Sequence, residues 1–289
     1  MVPTITACLI VRDEGEWIGA CLAAVAPFVD ALVVADTGSR DETAVRAAEA
    51  GATVLAVPWT DDFAAARNAA LAACRTDWVL SVDADELATG DPVLLRALLA
   101  RTPAEALGVE IQEQGADNPR GQEVHRALKL FRPDRCRWRG RVHEEVVTFA
   151  GAPPATAPVP PVGLALRHSG YADPAVFAAK IARNLRLARL AVDELAPDAV
   201  PERRLAALLD LGRTQLAAGE RAEGRAALRA VRAQAPAGGQ AWIWATDFLA
   251  WDALRHHDPD LAWALVGELA EHDAGEAHLR PLAEQLLDL

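Results

Sequence analysis

Residues 79–86 read "VLSVDADE", an apolar run that passes through Ser81 and Val82 into Asp83, Ala84, Asp85 and Glu86. The run is short and does not alternate between apolar and polar residues. That fits a strand covered on both faces, the kind found in parallel sheets. The acids then mark the point where the strand leaves the core. Asp83 and Asp85 are two apart, so on an extended chain both side chains point the same way. Two carboxylates at a strand end are hard oxygen donors. They suit Mg²⁺ or Mn²⁺, which keep some waters and take further oxygens from a substrate diphosphate. Asp and Glu are also common in solvated turns before helices, so these residues alone leave both readings open.

Working outward, the first hundred residues alternate. Strands are expected at "TITACLIV" (4–11), "ALVVAD" (31–36), "ATVLAVPW" (52–59) and "DWVLSVD" (77–83). Helices are expected at "GEWIGACLAAV" (15–25), "DETAVRAAEAG" (41–51), "DDFAAARNAALAAC" (61–74) and "DPVLLRALLAR" (91–101), the last opened by Asp91 and Pro92. Alternation of this kind predicts an α/β fold, Rossmann-like, with a mostly parallel, doubly wound sheet that binds ligands beyond the carboxyl ends of its strands. Residues 107–149 mix short strand candidates ("ALGVEI", "RALKLF", "VVTFA") with a polar loop, "QEQGADNPRGQ". The Pro/Ala-rich "GAPPATAPVPP" (151–161) reads as an irregular connector.

From residue 173 onward everything reads as helix. "DPAVFAAKIARNLRLARLAVDEL" is one amphipathic helix opened by Asp173 and Pro174. In 205–236, the residues Leu208, Leu211, Gly212, Gln215, Gly219, Gly224, Leu228, Val231 and Pro236 fall on the spacing of a tetratricopeptide repeat. Trp242 follows Leu208 by 34 residues, one repeat length. Gln215 stands where an aromatic is usual. Two domains are therefore expected, 1–172 and 173–289. Trp242, Trp244, Trp251 and Trp263 read as core or inter-helix packing.

A net charge of −12 and a pI near 5.1 argue against a general nucleic-acid binder and against electrostatic attachment to an anionic membrane. No apolar segment reaches the ~18–20 residues that span a bilayer. The N-terminal "MVPTITACLIVRDEGE" lacks the features of a signal peptide. A cytoplasmic protein with no membrane insertion is expected, and oligomerisation is left open. Cys8, Cys21, Cys74 and Cys136 form no CxxC pair and read as reduced, mostly buried thiols.

Three more strand ends carry polar clusters. Val11 is followed by Arg12, Asp13 and Glu14; "ADTGSRDET" brings Asp36, Gly38 and Asp41; "PWTDDFAAARN" leads to Arg67 and Asn68. Asp36 is placed to accept a hydrogen bond from a base or ribose, and Arg67 either pairs with a phosphate or makes an exposed helix ion pair. A phosphatase of the aspartyl-phosphate type would want Thr where Leu87 stands. No "GxGxxG" or "GxxxxGK" occurs, which disfavours dinucleotide and P-loop folds.

The run from residue 4 to 86, above all "DTGSRDET", "DDFAAARN" and "DADE", resembles the nucleotide-binding half of family 2 glycosyltransferases of the GT-A fold. "RVHEEV" (141–146), "RHSGY" (167–171) and the helical tail resemble its SunS-like, tetratricopeptide-containing subgroup. Asp13 departs from the family's usual Asn, and Arg12 from its Lys. The resemblance implies a nucleotide-sugar donor, most simply a UDP-sugar, and Mn²⁺ or Mg²⁺ as cofactor. It assigns Asp36 to uracil, and Asp83 to ribose or metal. Asp85 becomes a metal ligand, with His168 completing the metal or diphosphate site. Val11, Arg12, Glu14, Arg67 and Asn68 join the nucleotide-binding set. A base for inverting transfer is sought among His143, Glu144 and Glu145, with Glu144 first. If this segment is a strand, His143 and Glu145 share one face and Glu144 the other. "FRPDRCRWRGR" (131–141) would face a diphosphate or acidic acceptor, or solvent.

Tetratricopeptide-like hairpins form concave surfaces that hold peptides. The expected acceptor is therefore a peptide or protein Ser, Thr or Cys side chain. A cell-surface glycan or lipid-linked precursor is the alternative, and a catalytically inactive binding scaffold a third reading.

Overall fold

The structure is a computed structural model describing residues 2–114, 124–169, 174–196, 198–272 and 274–287. The chain divides into two compact units, Met1–Pro174 and Ala175–Leu289. Parts of the polar loop after residue 114, and residues 170–173 with the expected helix opener Asp173, lie outside the described residues.

The first unit opens with the anticipated alternation: β1 (Ile5–Val11), α1 (Ile18–Val25), β2 (Ala31–Asp36), α2 (Thr43–Glu49), β3 (Thr53–Ala56), α3 (Phe63–Leu71) and β4 (Trp78–Ser81). β5 (Glu86–Thr89) and α4 (Pro92–Leu99) follow, then β6 (Ala106–Gln114) and β7 (Val124–Phe131). β8 (Cys136–Arg139), β9 (Glu145–Thr148), β10 (Thr156–Pro158) and β11 (Ala165–Ser169) complete it. The sheet order is β3-β2-β1-β4-β7-β6-β11-β5, with β10 beside β6. The β3-β2-β1-β4 half is parallel throughout, and β11 and β10 run parallel to β6. β7 is antiparallel to β4 and β6, and β5 to β11, so the sheet is mixed but parallel-dominated. β8 and β9 form a separate antiparallel ribbon.

Physical reasons for these elements are local. Every residue of β1 except Ile10 is buried, and all of β4 is, which explains their unbroken apolar runs. α1 buries Ile18, Cys21, Leu22 and Val25, the three- and four-residue spacing of one helix face. α4 is capped by Asp91, whose carboxylate accepts from the Val93 N–H at 2.8 Å.

Two expectations need correction. The segment 151–161 is not wholly irregular, because β10 pairs parallel with β6 from Thr156 to Pro158. It lies on an edge, where a proline without an N–H costs no ladder bond. Residues 141–144 do not form a strand. His143 has φ 54°, in the left-handed region, and β9 starts only at Glu145, so the expected two-faced arrangement of His143, Glu144 and Glu145 does not arise.

The second unit is helical: α5 (Pro174–Asp193), α6 (Pro201–Ala217), α7 (Arg221–Gln234), α8 (Gln240–Arg255), α9 (Pro259–Glu271) and α10 (Glu276–Leu287). The small residues of the repeat spacing are explained by the α6–α7 contact. A Cβ on Gly212 would stand 2.8 Å from Leu228 Cγ, and one on Gly224 would stand 2.8 Å from the Gly212 carbonyl oxygen. Trp242 is buried as expected, but Trp263 is 48% exposed and is not core. All four cysteines are free and buried. Among the described residues no helix is long and apolar enough to cross a membrane.

Candidate active site

β1, β2 and β4 are parallel neighbours, so the residues after Val11, Asp36 and Ser81 leave the sheet along one edge. At the centre of that edge is the turn between β4 and β5. Glu86 is 3% exposed; its Oε2 accepts the Asp83 N–H at 2.8 Å, and its own N–H donates to the Asp83 carbonyl at 3.0 Å. Lys129 enters from β7. Its Nζ lies 2.7 Å from Asp83 Oδ2 and 2.8 Å from Glu86 Oε1. The sequence marks Lys129 only weakly: it stands between Leu128 and Leu130 in the apolar, buried end of a strand whose other cation, Arg126, lies in the exposed half.

Arg67 approaches from α3. The start of that helix is fixed by Asp62, which caps the Ala65 N–H at 2.8 Å, and by a bond from the Phe63 N–H to the Arg141 carbonyl at 2.9 Å. The guanidinium donates from Nη2 to Asp83 Oδ1 at 2.9 Å, from Nη1 to Ser81 Oγ at 3.1 Å and from Nε to Glu144 Oε1 at 2.5 Å. It also stacks 4.9 Å over the Trp138 ring. Glu144 is held close by a tight loop in which Gly140, at φ 109°, would bring a Cβ within 3.3 Å of the Glu144 Cα.

These contacts govern the protonation states. Burial works against ionised Asp83, but Lys129 and Arg67 overrule it and hold the carboxyl well below its usual range. Burial likewise works against the cationic forms of Lys129 and Arg67; Asp83, with Glu86 for the lysine and Glu144 for the arginine, raises both above their ordinary values. Burial pushes Glu86 up, Lys129 opposes it, and Asp83 adds to the rise.

Asp85 stands apart from the cations. It is 9% exposed, and its Oδ2 lies 3.0 Å from His168 Nε2. The antiparallel register of β5 on β11, with Glu86 opposite His168, brings the imidazole there. Asp83, Glu86 and Glu144 share the two cations Arg67 and Lys129, and with Asp85 beyond them this edge carries four carboxylates to two cations, a formal surplus of two negative charges. No group of three or more His, Cys, Asp or Glu converges on a metal position among the described residues. Asp85 and His168 nevertheless fit a divalent ion that fills its other positions with water and diphosphate oxygens. Asp83 is a poorer ligand than Asp85, because Arg67 and Lys129 each engage one of its oxygens.

The other expected residues fall into two groups. On the rim, Asp36 Oδ1 accepts from the Ser39 N–H at 3.0 Å and from Ser39 Oγ at 2.5 Å, leaving Oδ2 without a bond among the described residues. Asp13, at φ 55°, accepts the Arg40 N–H at 2.7 Å. Asn or Asp can both adopt that conformation and accept that bond, so the departure from the family's Asn leaves the loop intact. The Glu14 N–H donates to Thr43 Oγ1 at 2.8 Å, and the Val11 carbonyl accepts the Thr37 N–H at 2.9 Å. Arg12 is exposed beside Asp13. In the second group, side chains are committed elsewhere. The Asn68 amide is spent on the backbone of Trp138, its Nδ2 donating to the carbonyl at 2.9 Å and its Oδ1 accepting the N–H at 3.0 Å. Glu145 is half exposed and pairs with Arg139 at 2.6 Å.

The sequence matches the family described as "Glycosyl transferase family 2" over residues 6–151, just over half of the 289 residues. The chain belongs to that family and carries its glycosyltransferase domain. A TPR repeat-containing protein of Synechococcus elongatus is 46% identical over 146 residues, 49% of this chain and 35% of that protein. Glycosyltransferase SunS of Bacillus subtilis is 26% identical over 173 residues, 58% of this chain and 40% of SunS. The match thus spans well under half the length of either relative. Among solved structures, glucosyl-3-phosphoglycerate synthase of Mycobacterium tuberculosis, in complex with Mn²⁺, UDP and glucosyl-3-phosphoglycerate, is 26% identical. That likeness covers 39% of this chain and 45% of the synthase, with a TM-score of 0.33.

Proposed function

We propose that this chain transfers a sugar, with inversion, from a UDP-sugar to a Ser, Thr or Cys side chain of a peptide or protein, using Mn²⁺ or Mg²⁺ at Asp85 and His168. The observation that carries the reading is the network centred on Arg67. It joins α3, the end of β4 and the β8–β9 loop at one sheet edge, and brings Asp83 and Glu144 together there.

In this reading the Oδ2 of Asp36 accepts from the uracil ring. The divalent ion, when bound, supplies Lewis-acid stabilisation of the departing diphosphate. Glu144 is the base. Arg67 holds its Oε1, and its side chain is 12% exposed, while Oε2 has no bond among the described residues. Oε2 takes the acceptor's proton as the new bond to the sugar's anomeric carbon forms and the bond to UDP breaks. Glu145, paired to Arg139 in solvent, is less suited. Arg67 and Asn68 act as struts rather than nucleotide contacts. The tetratricopeptide-like hairpins from α6 to α9 support a peptide or protein acceptor, and the four free, buried thiols favour a cytoplasmic setting.

The test is mass spectrometry of products formed from a panel of UDP-sugars with Mn²⁺ and candidate peptides. The expected result is a peptide heavier by one sugar. Consumption of no UDP-sugar, with or without an acceptor, contradicts the reading.

A further inference from the structure

Lys129 and Glu86 lie behind the acid turn, 8% and 3% exposed. A lysine taken out of water loses several kcal/mol of hydration and is stable there only with fixed partners. Lys129 Nζ has them: Asp83 Oδ2 at 2.7 Å, and the two oxygens of Glu86 at 2.8 and 3.0 Å. Glu86 closes the turn reciprocally, accepting the Asp83 N–H and donating its own N–H to the Asp83 carbonyl. The same residue opens β5 opposite His168. Asp83 therefore has one oxygen on Arg67 and the other on Lys129. Asp85 is the acid of the turn left outside these bonds, facing His168.

We propose that Lys129 and Glu86 are positioning residues for the donor site. They clamp the turn so that Asp85, together with His168, is presented to a divalent cation and diphosphate. This rests on the donor reading above. Neither residue touches the reacting atoms. Lys129 holds Asp83 and Glu86 side by side, and Glu86 fixes the backbone of Asp83 and the register of His168.

The test is calorimetry on the full chain with Mn²⁺ alone and with UDP in Mn²⁺, comparing wild type, Lys129→Met, Lys129→Arg and Glu86→Gln. Circular dichroism and urea midpoints report on folding. Removing a residue that orients a metal ligand typically weakens metal affinity ~10–100-fold. Lys129→Met is expected to weaken Mn²⁺-dependent UDP binding about tenfold or more, and Lys129→Arg to recover most of the loss. Glu86→Gln keeps an oxygen for the Asp83 N–H and is expected to show a smaller loss at a nearly unchanged urea midpoint. It carries the test where Lys129→Met does not fold.

A merely structural role would lower the urea midpoint and leave the affinity of folded protein unchanged. Unchanged affinity in folded Lys129→Met, or in Glu86→Gln where Lys129→Met does not fold, overturns the clamp alone. A wild type with no affinity for UDP in Mn²⁺ overturns the donor reading and the clamp with it.

Discussion

Each unit of the molecule buries carboxylate among cations, but the balance of charge is opposite. In the helical unit, Asp252 is 5% exposed and is bonded by Arg221 at 3.0 Å and by Arg225, with His256 at 3.2 Å. One acid meets two arginines, and the cluster is positive. At the sheet edge of the first unit, three acids share two cations, and a fourth, Asp85, faces the imidazole of His168. The Asp252 cluster ties α7 to α8. A surplus of carboxylates at a strand edge attracts a cationic ligand, which is the reason to read it as a site.

That contrast can be broken most forcefully at Arg67. Its side chain is 11% exposed, and its removal leaves Asp83 and Glu144 without their shared cation. Stranding buried charges typically costs ~3–5 kcal/mol. Arg67→Met is expected to lower stability by about 3 kcal/mol and to abolish UDP binding, as read by urea denaturation and calorimetry. A variant of wild-type stability with intact binding would show that Arg67 is not the joint described.

Asp252→Ala tests the other side. It should cost about 1–3 kcal/mol of stability and leave UDP affinity unchanged, since the second cluster has no part in donor binding. A change in UDP affinity would erase the distinction between the two clusters.

The smallest expected effect is on pH. Asp83 and Asp252 are both held below their ordinary 3.8; burial opposes this in each case and the cationic partners outweigh it. A depressed carboxyl contributes stability above its unfolded pKa and loses it as pH falls through the folded value. Urea midpoints should therefore decline below pH 3.8 for both clusters. Glu86 is shifted the other way, so its contribution is complete below 4.5 and is lost as pH rises through its folded value. In Glu86→Gln that loss on the alkaline side should vanish while the acid-side decline remains.

How much of this was legible beforehand follows from sequence distance. The strands and the acids at their ends are local signals: an apolar run and the polar residues directly after it. β1, β2, β4 and the Asp83–Glu86 turn were therefore readable, as were Gly212 and Gly224 through their repeat spacing. The bonds that give those residues their jobs are long-range. Arg67 meets Glu144 across 77 positions, and Lys129 meets Asp83 across 46. No local pattern distinguishes an arginine that binds phosphate from one that braces two acids. Asn68 was misplaced for the same reason, because the strand it holds lies 70 residues away. β10 was missed because its proline content argues against a strand unless the edge position is known.

The most direct test of the central claim is UDP-sugar turnover during metal removal and return, in wild type and in Asp85→Ala. Wild-type turnover is expected to vanish on chelation and return with Mn²⁺. Asp85→Ala should lose about a hundredfold, ~3 kcal/mol of charge stabilisation, and gain little from added metal. Turnover that survives chelation, or that persists undiminished in Asp85→Ala, contradicts the account.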